Sequence, residues 1–489
     1  MKHFLPFVLF LLLAPSIFAN TYHVSPAGSN GNDGLTPATA FLTLQKASDV
    51  VQPGDSVSVL PGTYAGFYHI KSGTPSQRII FAALPGVLIN LRNATTTDGI
   101  NLEGASYVTI EGFKVYGVAR AGFRAVSDTG IIFRNNIADS CGKWGILTGF
   151  SENILIEFNE CSRSIAEHGI YFGNSADNPI IRNNICWGNN AAGIHMNADF
   201  NLQPGDGIIS NALVENNVIF NNGQAGGSGI NCDGVQSSRI QNNLLYNNNA
   251  SGISLYRIDA AEGAKNNVVV NNTILQSMYA RWALNISDSS SGNIVFNNIF
   301  YSPHNFRGSI SIDAASLAGF HSDYNVLVDR MSNNGGSTNM TFAQWKSTTN
   351  NDLNSLLSVP TLLFADSAVN DYHLSPSSLA IDLGRASLAG AFVPSTDIEN
   401  NARSQGSNPD AGAFEFPMIT ALNELNSKTI SWSTVLAEEV VSIYDLSGKM
   451  VFSGKKRGIL SGDLGRALYV FKLEMKNTSS MRMGWLIEL

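Results

Sequence analysis

The sequence predicts an all-β fold, a right-handed parallel β-helix with a small β-sandwich-like domain at its C-terminal end, and three observations carry that prediction. A glycine followed by an apolar residue recurs at Gly99-Ile100, Gly122-Phe123, Gly145-Ile146, Gly169-Ile170, Gly193-Ile194, Gly229-Ile230 and Gly252-Ile253, the early members 23 or 24 residues apart. Between them runs a second phrase, apolar alternation into an Asn pair: IIFRNNI from 131, IIRNNI from 180, LVENNVIF from 213, RIQNNLLY from 239, VVVNNTIL from 268 and IVFNNIF from 294. Each unit holds two or three short strands and no helical periodicity. It cannot bury its own apolar face, so successive units must stack.

Each position of the repeat has a physical reason. Strand side chains alternate in direction, so Ile170 and Phe172, Ile194 and Met196, Ile230 and Cys232, and Ile253 and Leu255 point into the coil. By the same alternation His195, Asn197 and Asp233 point outward, and His195 and Asp233 stay at least partly accessible. Asn tolerates left-handed backbone angles and bonds to neighbouring backbone groups, and stacked copies can form an amide ladder along the axis.

The elements follow in chain order. Lys2 and His3 precede an apolar run, Phe4 to Leu13, and a small-residue site near Ala19; residues 1–19 therefore read as a secretory signal peptide, too short to span a membrane. Residues 20–98 form an N-terminal cap and first turns, with a helix candidate in ATAFLTLQKASDVV (38–51). The repeats occupy 99–325. From 326 to 418 the periodicity fades into Ser, Thr and Asn-rich loops that close with PDAGAFEF at 409–416. Residues 419–489 form a separate β unit, in which TISWS, VVSIYDLSGKMVFSG and ALYVFKLEM read as alternating strands joined by Ser-Gly turns.

Composition narrows the function. A net charge of −8 with 14% charged residues lacks the basic stripe that nucleic acid requires, while a few local cations can still serve an acidic glycan. No later segment has the uninterrupted apolar length of a membrane span, and the chain is expected to act as a monomer. The four cysteines, Cys141, Cys161, Cys186 and Cys232, show no dense disulfide spacing. Cys161 and Cys186 share an offset from their Asn and read as stacked free thiols on adjacent rungs; Cys232 reads as core filling.

The opening, from HVSPAGSNGNDG through TLQKASDVVQPGDSVSVLPGTY, resembles the first turn of extracellular β-helix proteins of the pectate-lyase-like superfamily. AIDLG at 380–384 followed by DAGAFEF is similar to the closing segment of many such proteins from Bacteroidetes-type bacteria. The last 70 residues resemble the C-terminal sorting domain of type IX secretion substrates. These resemblances imply a secreted or cell-surface protein exported with the help of outer-membrane secretion machinery, with removal of the sorting domain.

The outward chemistry crowds onto the middle rungs. His168, Tyr171, His195, Asn197, Asn231, Asp233, Tyr256 and Arg257 can share one groove, because adjacent rungs are about 4.8 Å apart. The repeat stretches here, and loops 198–211 and 257–266 leave the strand ends and can wall that groove. His168, Tyr171, His195, Asp233 and Arg257 are the catalytic candidates; Asn197, Asn231, Tyr256, Asp259 and Trp282 are the substrate-binding ones. Asp199 and Asp206, like Asp233, serve as turn residues, as acid and base, or as ligands of calcium, the one cofactor the residues suggest. Arg257 and Asp259 can pair with each other, and Tyr256 and Trp282 can be sugar platforms or ordinary packing.

Two mechanisms fit, both on a polysaccharide. In a lyase acting on a uronic-acid glycan, Arg257 or calcium neutralises the carboxylate, His195 or His168 removes the C5 proton and Tyr171 protonates the leaving oxygen. In a hydrolase, two of Asp199, Asp206 and Asp233 act as acid and base. Pectate-lyase relatives commonly use a Lys or Arg base, yet no Lys lies between Lys143 and Lys265. NCDG at 231–234 and His168-Gly169 resemble polygalacturonase motifs, but in reversed order and without that family's paired Asp. A non-catalytic glycan-binding or surface protein on the same coil is the third reading.

Overall fold

The computed structural model describes residues 19–417 and, beyond them, four strand segments at 440–444, 450–455, 469–474 and 482–486. The signal peptide expected over 1–19 lies almost wholly outside the described residues. The chain divides into two compact units, Met1–Glu415 and Phe416–Leu489.

The first unit is a right-handed parallel β-solenoid of three sheets. Each turn of chain adds one strand to each sheet in order. The first sheet runs from Thr21–Val24 to His321–Asp323 and has 12 strands; the second runs from Gly62–Ala65 to Leu356–Leu357, also with 12; the third runs from Phe67–His69 to Met331–Ser332, with 11. The Gly-apolar step opens the strands of the third sheet, where Ile146, Ile170, Ile194, Ile230 and Ile253 are register partners in succession. All are fully buried, as are Met196, Cys232 and Leu255. Leu255→Ala is therefore expected to cost about 2–5 kcal/mol, read as a loss of urea midpoint at unchanged m value.

The two Asn of each pair have different roles. The first adopts a left-handed backbone, with φ of 54° at Asn135, 54° at Asn183, 55° at Asn216 and 53° at Asn242. The second turns inward and builds a ladder, which Asn159 and Asn325 join after left-handed Phe158 and Tyr324: Asn136, Asn159, Asn184, Asn217, Asn243, Asn272 and Asn298 each donate through Nδ2 to the Oδ1 of the next, ending on Asn325, at 3.0–3.1 Å. Every oxygen in that ladder also accepts a backbone N–H, as Asn217 Oδ1 does from Asn184. Buried amides stay satisfied in this way, and every rung is held in register.

The cap helix is shorter than the sequence suggests. It spans Leu44–Val50, because Thr43 caps it by accepting from the backbone N–H of Lys46 and because Phe41 is engaged in a bridge to Val24. The 326–418 region also differs from the loops expected. Helix Phe342–Thr349 is started by a capping box of Thr341 and Gln344. A strap then folds back onto the coil: left-handed Asn242, Asn271 and Asn297 bond Arg403, Asp410 and Arg385 respectively, and the Arg403–Glu415 ion pair within the strap is fully buried. Cys161 and Cys186 are register partners, and all four cysteines are free and buried.

Asp128 gives a pH test of the core. It is 2% exposed, its Oδ1 accepts the N–H of Ala105 and its Oδ2 has no partner. Burial pushes its carboxyl up to about 8. The folded state thus holds this proton more tightly than the unfolded chain does. The stability it contributes is full below the ordinary Asp range and is lost as pH rises toward that value. Asp128→Asn should raise the melting temperature at about pH 8 and change it little at about pH 4. Equal shifts at both would remove the assignment.

The described part of the second unit is a four-stranded antiparallel sheet of Val440–Tyr444, Met450–Lys455, Tyr469–Glu474 and Arg482–Leu486, with the first two and the last two adjacent. TISWS, read as a strand of the expected sandwich, lies outside the described residues.

Candidate active site

The outer face of the third sheet carries the cluster. Tyr171, His195 and Asn231 are register partners on consecutive strands, and two positions along lie Gly173, Asn197, Asp233 and Tyr256. His168 stands just before its strand.

One hydrogen-bonded chain links four of these groups. The backbone N–H of Ala192 donates to His168 Nδ1 at 3.1 Å, His168 Nε2 meets His195 Nδ1 at 3.0 Å, and His195 Nε2 meets the Tyr256 hydroxyl at 3.3 Å. The first bond fixes the rest. Because Ala192 donates, His168 Nδ1 carries a lone pair, so the neutral ring holds its proton on Nε2 and gives it to His195 Nδ1. His195 must then hold its own proton on Nε2 and direct it at Tyr256. Asn231 Nδ2 donates to the same oxygen at 2.7 Å. Tyr256 Oη therefore receives two N–H donors, and its own hydrogen has no acceptor among the described residues.

Electrostatics keep this chain neutral. Burial pushes His168 down to about 4, and His195 lies well below its ordinary value because of burial first and His168 second. Burial pushes Tyr171 up to about 12; Tyr256 is also raised, by burial and then by the Asp233 carboxylate. For His168 and His195 the folded values lie below the unfolded ones, so the stability they contribute is present above the ordinary His range and is lost as pH falls below it, for His168 through about 4. Turnover should accordingly stay level across about pH 6.5, the ordinary His value. An acid limb centred there in a rate profile would mean that a histidine titrates freely.

Tyr171 anchors the other side. Its ring stacks on His168 at 5.5 Å and 11° and meets His195 edge-on at 5.3 Å, while its hydroxyl accepts from Asn197 Nδ2 at 3.1 Å. Asn197 Nδ2 also reaches Asp259 Oδ2 at 3.4 Å. The two long loops are tied together beside this group, Phe200 N–H to Asp259 O and Ala261 N–H to Gly207 O, both 3.0 Å.

Several expected positions differ. Asp233 is 1% exposed rather than accessible, because its carboxylate turns back to accept the backbone N–H groups of Ile258, Asp259 and Ala260; it shapes the loop after Tyr256. Trp282 is 5% exposed, with Gly336 packed close to its Nε1, so it is packing rather than a platform. Asp199 and Asp206 accept the N–H groups of Asn201 and Ile208 two residues on, the Asx turns that suit Asp in loops. Among the described residues no three His, Cys, Asp or Glu side chains are gathered as a metal site, and Arg257 forms no ion pair with Asp259. Arg257 is exposed. Neither lysine swings in: Lys143 pairs with Glu167 at 3.3 Å and Lys265 with Glu262 at 2.9 Å. Trp144 escaped the sequence reading. It packs 5.8 Å from Tyr171, and its place immediately before Gly145 matches that of His168 before Gly169.

Comparisons place the fold among known proteins. The family described as right handed beta helix region matches residues 89–226, and that described as periplasmic copper-binding protein (NosD) matches 206–315. No curated protein matches the chain. Among solved structures, a pectate lyase, Pel9A, superposes with a TM-score of 0.55 at 16% identity over 82% of this chain and 97% of that one. XylC in complex with xylose gives 0.48 at 11% identity over 81% and 98%, and a rhamnogalacturonan lyase 0.45 at 16% over 72% and 92%. At these identities the likeness is one of fold.

Proposed function

We propose that this protein is a secreted or cell-surface carbohydrate-active enzyme that cleaves a uronic-acid-containing polysaccharide by β-elimination on the outer face of its third sheet. The observation that carries the reading is the chain from Ala192 through His168 and His195 to the hydroxyl of Tyr256. Its fixed tautomers leave neither histidine a free lone pair, so the proton acceptor assigned to His195 or His168 on sequence grounds moves elsewhere. Tyr256 is the group that meets the substrate. It gives its proton to the leaving glycosidic oxygen, and the resulting phenolate is held by the N–H groups of His195 and Asn231, donors aimed where charge develops.

The remaining roles follow from what is left unoccupied. Asp259 lies beside Asn197 and close enough to raise both Tyr171 and Tyr256 by its charge; it takes the C5 proton. As that C–H bond breaks, the C4–O bond breaks with its electrons going to oxygen, and a C4–C5 double bond forms. Arg257, exposed and without an ion pair among the described residues, neutralises the uronate carboxylate. Tyr171 positions the sugar, its hydroxyl held by Asn197. The paired-carboxylate hydrolase has less support, because Asp233, Asp199 and Asp206 are all engaged in turns. The fold shared with a pectate lyase agrees with a polyuronate substrate.

A panel of polyuronates and neutral polysaccharides tests the reading. The expected product on at least one polyuronate is an unsaturated uronate end, formed without added metal. New reducing ends lacking unsaturation would replace elimination by hydrolysis, and binding without any product would make the protein a glycan-binding module.

A further inference from the structure

We propose that the corner where the chain passes from the second sheet to the third holds a separate binding cleft for a neutral, hydroxyl-rich saccharide chain lying along the solenoid axis. The cleft has a volume of about 680 Å³, and none of its lining residues belongs to the tyrosine and histidine group. Its floor follows the rungs: Gly188, Asn221 and Asn247 each come directly after a strand of the second sheet, whose last residues, Trp187, Phe220 and Tyr246, are register partners. Successive floor positions are thus about 4.8 Å apart.

The chemistry of the lining selects the ligand class. Asn221 and Asn247 are exposed, and their amides, like that of Gln224, make no hydrogen bond with the protein among the described residues. Each amide offers two donors and two acceptor lone pairs, which suits hydroxyl groups that both give and accept. Asn190, Asn249 and Ser277 add polar walls. The lining residues are all uncharged, and the nearest cation, Arg163 over the Trp187 ring, is already paired with Asp139, so a uronate carboxylate would lose water there without a free counter-charge. Stacking is not the mode of recognition: Phe220 covers one face of the Trp187 ring, parallel to it at 6.0 Å, and Arg163 lies over the ring at 5.1 Å.

The left-handed φ of Asn221 and Asn247, 56° and 53°, also supplies a clean test. Glycine accepts such angles without strain, so Asn221→Gly with Asn247→Gly removes both amides and leaves the backbone. The full chain is applied to an array of neutral oligosaccharides from xylan, glucan, mannan and galactan, with oligogalacturonate as the anionic control, and affinities are then measured by titration calorimetry. The expected result is binding of at least one neutral oligosaccharide, weakened about tenfold or more in the double variant at unchanged melting temperature, and unchanged in Tyr256→Phe. Failure of every neutral oligosaccharide to bind, or equal binding by the double variant, would overturn the proposal. So would loss of that binding in Tyr256→Phe, which would assign it to the other face. A double variant that melts early is replaced by Asn221→Asp, which keeps the left-handed preference and removes the donors; equal binding by it also counts against the cleft.

Discussion

Tyr256→Phe is expected to lower turnover on the best polyuronate about 10²- to 10⁴-fold, the usual range for losing a general acid, while the melting temperature barely moves. The change deletes one oxygen and orphans two donors, His195 Nε2 and Asn231 Nδ2, on half-buried side chains outside the apolar core. His195→Ala should cost about 10²- to 10³-fold, because it removes one donor to the developing phenolate and leaves the acid in place. The order is informative. If His195 removed the C5 proton itself, His195→Ala would be at least as damaging as Tyr256→Phe, and the tautomer argument would fail with it. Parental activity in both variants would leave the face solvated and non-catalytic.

Asn217→Ala is expected to destabilise the solenoid by about 3–5 kcal/mol, since a buried group left without its partner costs about 1–3 kcal/mol and this change orphans several. The backbone N–H and Nδ2 of Asn184 lose their shared acceptor, and the carbonyl of Ile181 loses its donor. Its neighbour gives the control. Asn216 has a left-handed φ of 55° and an Oδ1 with no partner, so Asn216→Gly should change stability by well under about 1 kcal/mol. Urea unfolding of both variants reads the difference. Similar losses at the two positions would mean that the pair acts as a polar turn rather than as one hinge and one rung.

The rungs were legible because the inward row is a strictly local signal. Ile170, Ile194, Ile230 and Ile253 mark their strands by alternation, and alternation alone buries them. The outward row is decided by neighbours that alternation does not see. Asp233 points away from the core as expected, yet the loop after Tyr256 turns over it and spends its oxygens on backbone N–H groups. Asn197 also points outward and is nearly closed off by Tyr171 and Asp259. The gathering of His168, Tyr171, His195, Asn231 and Tyr256 followed from rung spacing, whereas their roles depended on one backbone contact: no sequence pattern places the N–H of Ala192 against a ring nitrogen. The strap was hidden for a related reason. Arg403 pairs with Glu415 within it and meets Asn242 across 161 residues of chain, a distance over which periodicity carries nothing. Trp144 could have been found, since it occupies the His168 offset one rung earlier.

Nitrogen-15 NMR of the imidazole rings tests the central claim most directly, because the proposed chemistry depends on where two protons sit. Both His168 and His195 should be neutral with the proton on Nε2 at about pH 7, and both should remain so well below about 6.5, the ordinary His value. A proton on His168 Nδ1, or protonation of either ring near that ordinary value, would contradict the fixed chain from Ala192 to Tyr256 and remove the basis for Tyr256 as the acid.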